Sequence, residues 1–339
     1  MIICILAGGE GSRLWPLSTP SKPKQILKLN NDNSLIQNTY TLMRKITENI
    51  FIVSEKSHSA TMLKQLKNFN KQRMIIEPCR KGTTNCILLA LRHIKKFYKG
   101  KKNDEKILFI HADHIFDDEK RFISSIKNAF DIKEDSIVVG GKKPVCAGTK
   151  YGYIKTKKIS SSVYKVLQFK EKPDQKTANI LWKKKNYFWN EGFLIGTINN
   201  ISSSFKQFNP EVYQSLISLF ALPDAKIEKF YSNLKSSAIE KSLMEKSNKI
   251  LLSPITFGWV DLGTYNSLCS ILEKDEKNIV KGNNIYQLEN TGTFIYNKTN
   301  LKVGVIGLKN IAVVLTKDGL LVLNKEKENL VSEISKKMK

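Results

Sequence analysis

The chain has 339 residues, a length suited to one large domain with a small appendix. Apolar residues make up 41% and charged residues 26%, ordinary for a soluble globular protein, and no apolar run is long enough to cross a bilayer, so a membrane partner is not expected. The net charge of +25 is carried almost wholly by lysines spread along the chain, with arginine only at Arg13, Arg44, Arg73, Arg80, Arg92 and Arg121, so an arginine-rich nucleic-acid face is not indicated. A positive field does raise the local concentration of phosphorylated small molecules. The scattered cysteines Cys4, Cys79, Cys86, Cys146 and Cys269 are odd in number and lack a CxxC pair, which argues against a disulfide framework or a structural zinc site.

Ile2 to Ala7 is an apolar run with no basic residues before it, which predicts a buried first strand rather than a signal peptide and makes the cytoplasm the default location. A Gly-rich loop follows. Ser34 to Lys45 reads as a helix opened by a Ser cap, Ile50 to Ser54 as a strand, and Ser57 to Asn68 as a helix. The alternation continues with strands at Met74 to Glu77, Ile107 to Ala112 and Ile137 to Gly141, and helices at Asn85 to Lys99 and Glu119 to Phe130. This order predicts an α/β fold: a mostly parallel, Rossmann-like sheet with helices on both faces. Ligands of such sheets bind outside the carboxyl ends of the strands, here the loops after Ala7, Glu77 and Ala112. Tyr151 to Thr156 and Val163 to Phe169 read as antiparallel strands. A polar helix, a strand at Phe193 to Thr197, a helical region from Ile201 to Ser247 and a strand from Pro254 to Leu262 come next. After Lys274 short β runs at Thr293 to Tyr296, Lys302 to Ile306, Ile311 to Thr316 and Gly319 to Leu323 alternate with turns, and a lysine-rich helix closes the chain. The expected organisation is a catalytic domain over 1–274 and a β-rich, β-helix-like domain over 275–339, with the boundary near Asp275.

The strongest chemical signal is Leu6-Ala7-Gly8-Gly9-Glu10-Gly11-Ser12-Arg13-Leu14, with Lys24 shortly after. A Gly-rich turn after a first strand lets backbone N–H groups approach phosphate oxygens. Arg13 can stabilise charge developing on phosphorus, and Lys24 adds a second cation. The loop lacks the third glycine of a dinucleotide fingerprint and the terminal Gly-Lys-Ser/Thr of a P-loop. Residues 6–25 resemble the opening motif of the sugar-1-phosphate nucleotidylyltransferases, in particular bacterial mannose-1-phosphate guanylyltransferases. LAGGEGSRLWPLS and PKQ follow the pattern LAGGxGTRLWPLS and PKQ, with Ser12 for Thr.

Other segments carry the same resemblance. In Ile110-His111-Ala112-Asp113-His114, Asp113 stands at a strand end where a carboxylate can hold Mg²⁺ beside converging phosphates, and it falls on the family's metal-binding Asp. Trp259-Val260-Asp261-Leu262-Gly263 is similar to the family's W-x-D-V-G, which makes Asp261 the second metal carboxylate. Tyr151-Gly152-Tyr153-Ile154, Glu171-Lys172-Pro173 and Trp189-Asn190-Glu191-Gly192-Phe193 resemble the sugar-side motifs, with Lys150 in place of a Gly and Glu191 in place of a Ser. The resemblance implies that Glu171 and Asn190 bind sugar hydroxyls, that Gly152 and Gly192 make room for the ring, and that Lys172 pairs with the sugar phosphate. Leu6, Ala7, Gly8, Gly9, Gly11, Ser12, Glu77, Pro78 and Thr83 are the implied nucleotide-binding residues. In the base loop Lys81, Gly82, Thr84 and Asn85 depart from the pattern E-P-x-x-R-N-T-A-P-A, and Arg80 is offset by one position from the family's Arg.

The activity so implied converts GTP and mannose 1-phosphate into GDP-mannose and pyrophosphate with Mg²⁺, in nucleotide-sugar and polysaccharide biosynthesis. A single activity is expected, with a homodimer by analogy. Two alternatives stand beside it: transfer to another sugar 1-phosphate or from another base, such as with heptose 1-phosphate, and a non-catalytic regulatory subunit that binds nucleotide sugar.

Overall fold

The computed structural model describes residues 1–132, 136–272 and 278–338. The first strand, β1 (Ile2–Leu6), explains the architecture. Its side chains alternate, so Ile2, Cys4 and Leu6 enter one apolar cluster while Ile3 and Ile5 enter another on the opposite face. A strand buried on both faces must be apolar at every position, which is why this run shows no polar alternation.

The chain then forms α1 (Leu35–Arg44), β2 (Ile50–Glu55), α2 (Lys56–Gln65), β3 (Met74–Glu77), α3 (Gly82–Phe97), β4 (Ile107–His111), the short β5 (His114–Phe116), α4 (Glu119–Phe130) and β6 (Ile137–Lys142). Helices α1, α2 and α4 supply Ile36, Met62 and Phe122 to the cluster behind Ile3 and Ile5; α3 supplies Ile87 to Ile94 to the other face. Ser34 caps α1 through a capping box with Gln37, as its position before the apolar periodicity predicts. Then follow β7 (Tyr153–Lys158), β8 (Tyr164–Lys170), α5 (Gln175–Leu181), β9 (Tyr187–Gly196), α6 (Ile198–Phe208), α7 (Pro210–Ala221), α8 (Asp224–Ser232), β10 (Ile250–Pro254), β11 (Trp259–Asp261) and α9 (Tyr265–Ile271).

Among the described residues the main sheet has nine strands in the order β3-β2-β1-β4-β9-β6-β10-β8-β7. The expected mostly parallel sheet is corrected here: the sheet is mixed. Strands β3, β2, β1 and β4 run parallel, but β9 inserts antiparallel between β4 and β6, and β8 and β7 are antiparallel neighbours. Burial on both faces gives β9 the same apolar texture as a parallel strand, so its direction is not written in its periodicity. Strand β9 also begins at Tyr187, ahead of the expected Phe193, because buried Asn190 and Glu191 interrupt the apolar run. The strand expected from Pro254 to Leu262 is not continuous: β10 ends at Pro254, residues 255–258 form no strand, and only Trp259–Asp261 does, as β11. Strand β11 leaves the main sheet and pairs antiparallel with β5, setting Asp261 opposite His114.

After residue 278 come β12 (Ile279–Gly282), β13 (Ile285–Leu288), β14 (Phe294–Asn297), β15 (Val303–Ile306), β16 (Ile311–Thr316), β17 (Gly319–Asn324) and α10 (Val331–Lys337). Strands β12, β14 and β16 stack in parallel, as do β13 and β15, and β17 folds back antiparallel on β16. Buried Asn278 and Asn290 bridge the turns between these coils through backbone hydrogen bonds. The boundary expected near Asp275 lies outside the described residues. Phe294, Ala312, Val314, Leu321 and Val331 of this region share one apolar cluster with Leu14, Leu17, Leu27 and Leu35 from the other end of the chain. The Tyr265 hydroxyl donates to the carbonyls of Leu14 (3.2 Å) and Trp15 (2.8 Å) in the same cluster. Among the described residues no helix is long and apolar enough to cross a membrane.

Tyr265→Phe leaves these buried carbonyls without the hydroxyl at nearly constant volume. It is expected to cost about 1–2 kcal/mol in denaturant unfolding, with an unchanged m-value; a loss below a few tenths would show that the hydroxyl does not hold the Leu14–Trp15 segment.

Candidate active site

The Gly-rich loop leaves β1 at the carboxyl edge of the sheet. Gly11 adopts φ +65°, and a Cβ there would lie 2.5 Å from the Ser18 hydroxyl, so the turn requires glycine. Ser18 donates to the Glu10 carbonyl (2.9 Å), and the Gln25 amide donates to the Gly8 carbonyl, tying the two ends of the motif together. Ser12, Arg13 and Leu14 form a single helical turn in which Leu14 is buried and Arg13 is exposed. This split anchors the turn by its leucine and presents the guanidinium.

Lys24 is buried at the centre of the site. Its ammonium forms an ion pair with Asp113 and lies 3.8 Å from Asp261. Asp113 follows β4 and Asp261 ends β11; the β5–β11 ribbon and the hydrogen bond from the Leu262 N–H to the Asp113 carbonyl (3.0 Å) bring them together. Burial pushes the Lys24 ammonium towards losing its proton, but the charges of Asp113 and Asp261 outweigh it and raise its pKa. Burial likewise pushes Asp113 up, and Lys24, with His114 and His111 adding, holds it below the usual carboxylate range. Asp261 is raised, first by burial and then by the Asp113 charge, with Lys24 opposing. Although walled by protein, the Asp261 side chain is 46% exposed, open to a cavity of about 730 Å³ that Arg13 and Lys172 also line. A Cβ on Gly263 would lie 2.8 Å from the Arg13 guanidinium, which places Arg13 over the Asp261 turn. His114 stacks near Trp259 (5.0 Å between centroids) and is pushed down to about 4, chiefly by burial.

Two neighbouring hard oxygen donors, of which Asp261 opens onto the cavity, suit Mg²⁺, which is held by one or two carboxylates and takes its remaining ligands from water and phosphate. Among the described residues no three His, Cys, Asp or Glu side chains are grouped to hold a metal by themselves, so the rest of the shell falls to those ligands.

A second cavity, of about 240 Å³, is lined by Leu6, Gly8, Gly9, Glu77, Thr83 and His111. Glu77 is buried; burial raises its pKa, while the Tyr231 hydroxyl, which donates to it (2.7 Å), and the Lys81 N–H oppose. The Thr83 hydroxyl oxygen accepts the Ile239 N–H (2.9 Å). Gly82 has φ +80°, and a Cβ there would lie 2.3 Å from the Ser237 carbonyl oxygen, so this backbone excludes the Asn of the family pattern. Arg80 is paired with Glu10 and Glu55 at the cavity rim. Of the expected site residues, Ala7, Gly11, Ser12, Pro78, Lys24 and Asp113 line neither cavity, and neither do Gly152, Glu171, Asn190 and Gly192.

Of the sugar-side residues, Gly152 and Asn190 are neighbours: the Asn190 N–H donates to the Gly152 carbonyl (2.8 Å), and the Asn190 side-chain oxygen accepts the Gly192 N–H (3.4 Å). Glu171 pairs with Lys172 (3.1 Å), and burial raises its pKa against that pairing. Tyr151, Trp189 and Trp259 form an aromatic wall, with centroids 4.5 and 5.6 Å from Tyr151. Glu191 is 1% exposed, and neither carboxylate oxygen has a hydrogen-bond partner of good geometry, although the Trp259 indole approaches it. Burial raises its pKa far above normal. The sequence does not point to Tyr231, in a region that reads only as Ser- and Lys-rich helix, and although it places Tyr151, Trp189 and Trp259 in motifs, it does not show that they stack into one wall, because they sit in three separate segments.

Residues 2–278 match the Nucleotidyl transferase family. The chain is 30% identical over its whole length to Mannose-1-phosphate guanylyltransferase 2 of Escherichia coli O157:H7, covering 73% of that protein. It is 32% identical over 98% of its length to Alginate biosynthesis protein AlgA of Pseudomonas fluorescens, covering 71% of it. The fold superimposes with a TM-score of 0.87 on a Thermus thermophilus structure described as mannose-1-phosphate geranyltransferase, at 24% identity and covering 99% of this chain and 98% of the other.

The Glu191 carboxyl gives a stability prediction. A carboxyl whose folded pKa is raised makes stability fall as pH rises above the ordinary carboxylate range, levelling only above the raised value. Glu191→Gln stays neutral and escapes that loss. Its melting temperature is expected to exceed wild type by about 2–4 °C near pH 8 and to converge with it near pH 4. Differential scanning calorimetry across that range checks the sign, and a variant less stable at both pH values would show that the charged form is satisfied.

Proposed function

The chain belongs to the Nucleotidyl transferase family, and we propose that it joins a nucleoside triphosphate to a sugar 1-phosphate with release of pyrophosphate, using GTP and mannose 1-phosphate. The observation that carries this reading is the convergence of Lys24, Asp113 and Asp261 beside the Gly-rich loop, with Arg13 and Lys172 on the cavity that Asp261 lines. The names of the enterobacterial and Pseudomonas relatives support the mannose and guanine assignments and a use of GDP-mannose in polysaccharide biosynthesis.

In this reading the triphosphate lies along residues 6–12, with its base in the cavity beside Glu77 and Thr83. Lys172 receives the sugar phosphate, while Glu171, Asn190, Gly152 and Gly192 surround the sugar. The phosphate oxygen that attacks the α-phosphorus is already ionised at neutral pH, so no side chain needs to remove a proton. Catalysis is alignment plus charge stabilisation by Arg13 and Lys24. Asp113 and Asp261 would hold Mg²⁺, which when bound neutralises phosphate charge. The Lys24 ammonium holds Asp113 in its charged form and opposes the rise that burial and the Asp113 charge impose on Asp261.

One observation favours a second reading of the base. Gly82 against the Ser237 carbonyl removes the family's Asn, and Arg80 is engaged by two glutamates, so another triphosphate is the alternative. Pyrophosphate release from purified protein, with Mg²⁺, mannose 1-phosphate and each of the four common ribonucleoside triphosphates, separates the two: turnover with GTP alone supports guanine. Silence with all four and with other sugar 1-phosphates would leave only a non-catalytic role. Arg13→Ala is expected to lower kcat by roughly 10²–10³, the scale of one preorganised charge-stabilising group; a loss under about tenfold would remove Arg13 from that role. Chelation by EDTA is expected to abolish turnover, with recovery on adding Mg²⁺. Asp261→Asn is expected to raise the Mg²⁺ concentration needed for half-maximal rate, and an unshifted requirement would exclude Asp261 as a ligand.

A further inference from the structure

Glu328 lies in the helical turn Lys325–Leu330 that precedes α10, within a stretch of lysines and glutamates that reads as solvated surface. It is nevertheless 3% exposed. Its two oxygens serve different segments. Oε2 accepts the backbone N–H of Asn266 (2.8 Å), at the start of α9 and just beyond the Asp261 turn. Oε1 accepts the Lys150 ammonium (2.8 Å), from the residue before Tyr151-Gly152. The Asn266 side chain returns a hydrogen bond to the Lys325 carbonyl (3.0 Å). Burial pushes the Glu328 carboxyl up, but Lys150, the Asn266 N–H and the Thr264 hydroxyl outweigh it and hold it below the usual range. A buried charge of this kind is tolerated only when both oxygens are paired.

A simple tie for the C-terminal strands would account for the Asn266 bond but not for Lys150. The Lys150 side chain is 58% exposed and lines the large cavity together with Arg13, Lys172, Asp261 and Asn329. It also occupies a position where the resembled motif carries Gly, so the cation is a property of this chain.

We propose that Glu328 is a positioning residue that, through Lys150, fixes the loop before Gly152 against the Asp261 segment and holds a second ammonium, beside Lys172, facing the incoming sugar phosphate. This rests on the reading of that cavity as the sugar-phosphate site. The C-terminal region then takes part in substrate binding from a distance, by joining two walls of the cavity that are far apart in sequence.

Glu328→Gln keeps a neutral acceptor for the Asn266 N–H and loses the ion pair; Lys150→Met loses the same pair from the other side without leaving a void. Hydrogen exchange of the unliganded full chain reads the clasp without any substrate. Both variants are expected to exchange about threefold faster or more over residues 149–153 than wild type, the scale of a modest ion pair; unchanged exchange there overturns the clasp. Steady-state kinetics then reads the role. Both variants are expected to raise KM for mannose 1-phosphate about fivefold, more than they raise KM for GTP, and the double variant is expected to match the single ones within about twofold. Equal rises in both KM values, or additive losses in the double variant, would reduce Glu328 to a structural tie. A wild-type protein silent toward every sugar 1-phosphate would refute the cavity assignment, and with it the sugar-phosphate role of Glu328, while the exchange experiment still decides whether the clasp exists.

Discussion

A lysine ammonium held between two carboxylates is the constraint on which the rest of this structure depends. Burying the Lys24 ammonium is costly unless carboxylates answer it, and here Asp113 pairs with it while the more open Asp261 lies 3.8 Å away. The three come from the Gly-rich segment, the end of β4 and the end of β11. They can meet only if β1 and β4 are adjacent in the sheet and if β11 leaves the sheet to pair with β5. The topology therefore serves a local electrostatic arrangement. The cluster is also unbalanced in a useful way: it carries one more negative charge than positive, at the mouth of a cavity whose other wall carries Arg13 and Lys172.

The two cavities differ in chemistry. The smaller is bounded by backbone and by Glu77, which is fixed by Tyr231 and has little freedom to adapt. The larger is rimmed by cations and aromatic rings, the combination that suits a phosphate attached to a hydroxyl-rich ring. Strand β9 stands between β4 and β6 and carries Asn190, Glu191 and Gly192 at its irregular centre, so the antiparallel insertion that breaks the parallel sheet also delivers residues that the proposed function places around the sugar.

Much of this was legible in the residues. The alternation of apolar runs with capped helical patterns through Gly141 matches β1 to β4, β6 and α1 to α4 within three residues at each end, because strands buried on both faces and helices with one apolar face leave distinct periods; the short β5 was not expected. The expected short strands of the C-terminal region appear as β14 to β17, while β12 and β13, four residues each and set among lysines and asparagines, were not expected. The motif residues Arg13, Lys24, Asp113 and Asp261 do converge on one place. Strand direction was not legible, since the apolar content of β9 is the same whichever way it runs. Neither were Tyr231 and Glu328, whose burial depends on tertiary neighbours that no local pattern records.

The packing of Leu14 and Leu17 against Leu321 and Val331 has a consequence for the order in which the protein becomes competent. The Gly-rich segment leaves the ribosome long before Leu321 and Val331, which supply part of the apolar surface that steadies it. A nascent chain thus carries its Gly-rich segment through much of translation without all of the apolar partners that hold it in shape, and that packing is completed only when synthesis has passed α10. Assembly of the site is in this sense a check on length: a chain released before α10 keeps the signature motif but lacks its support.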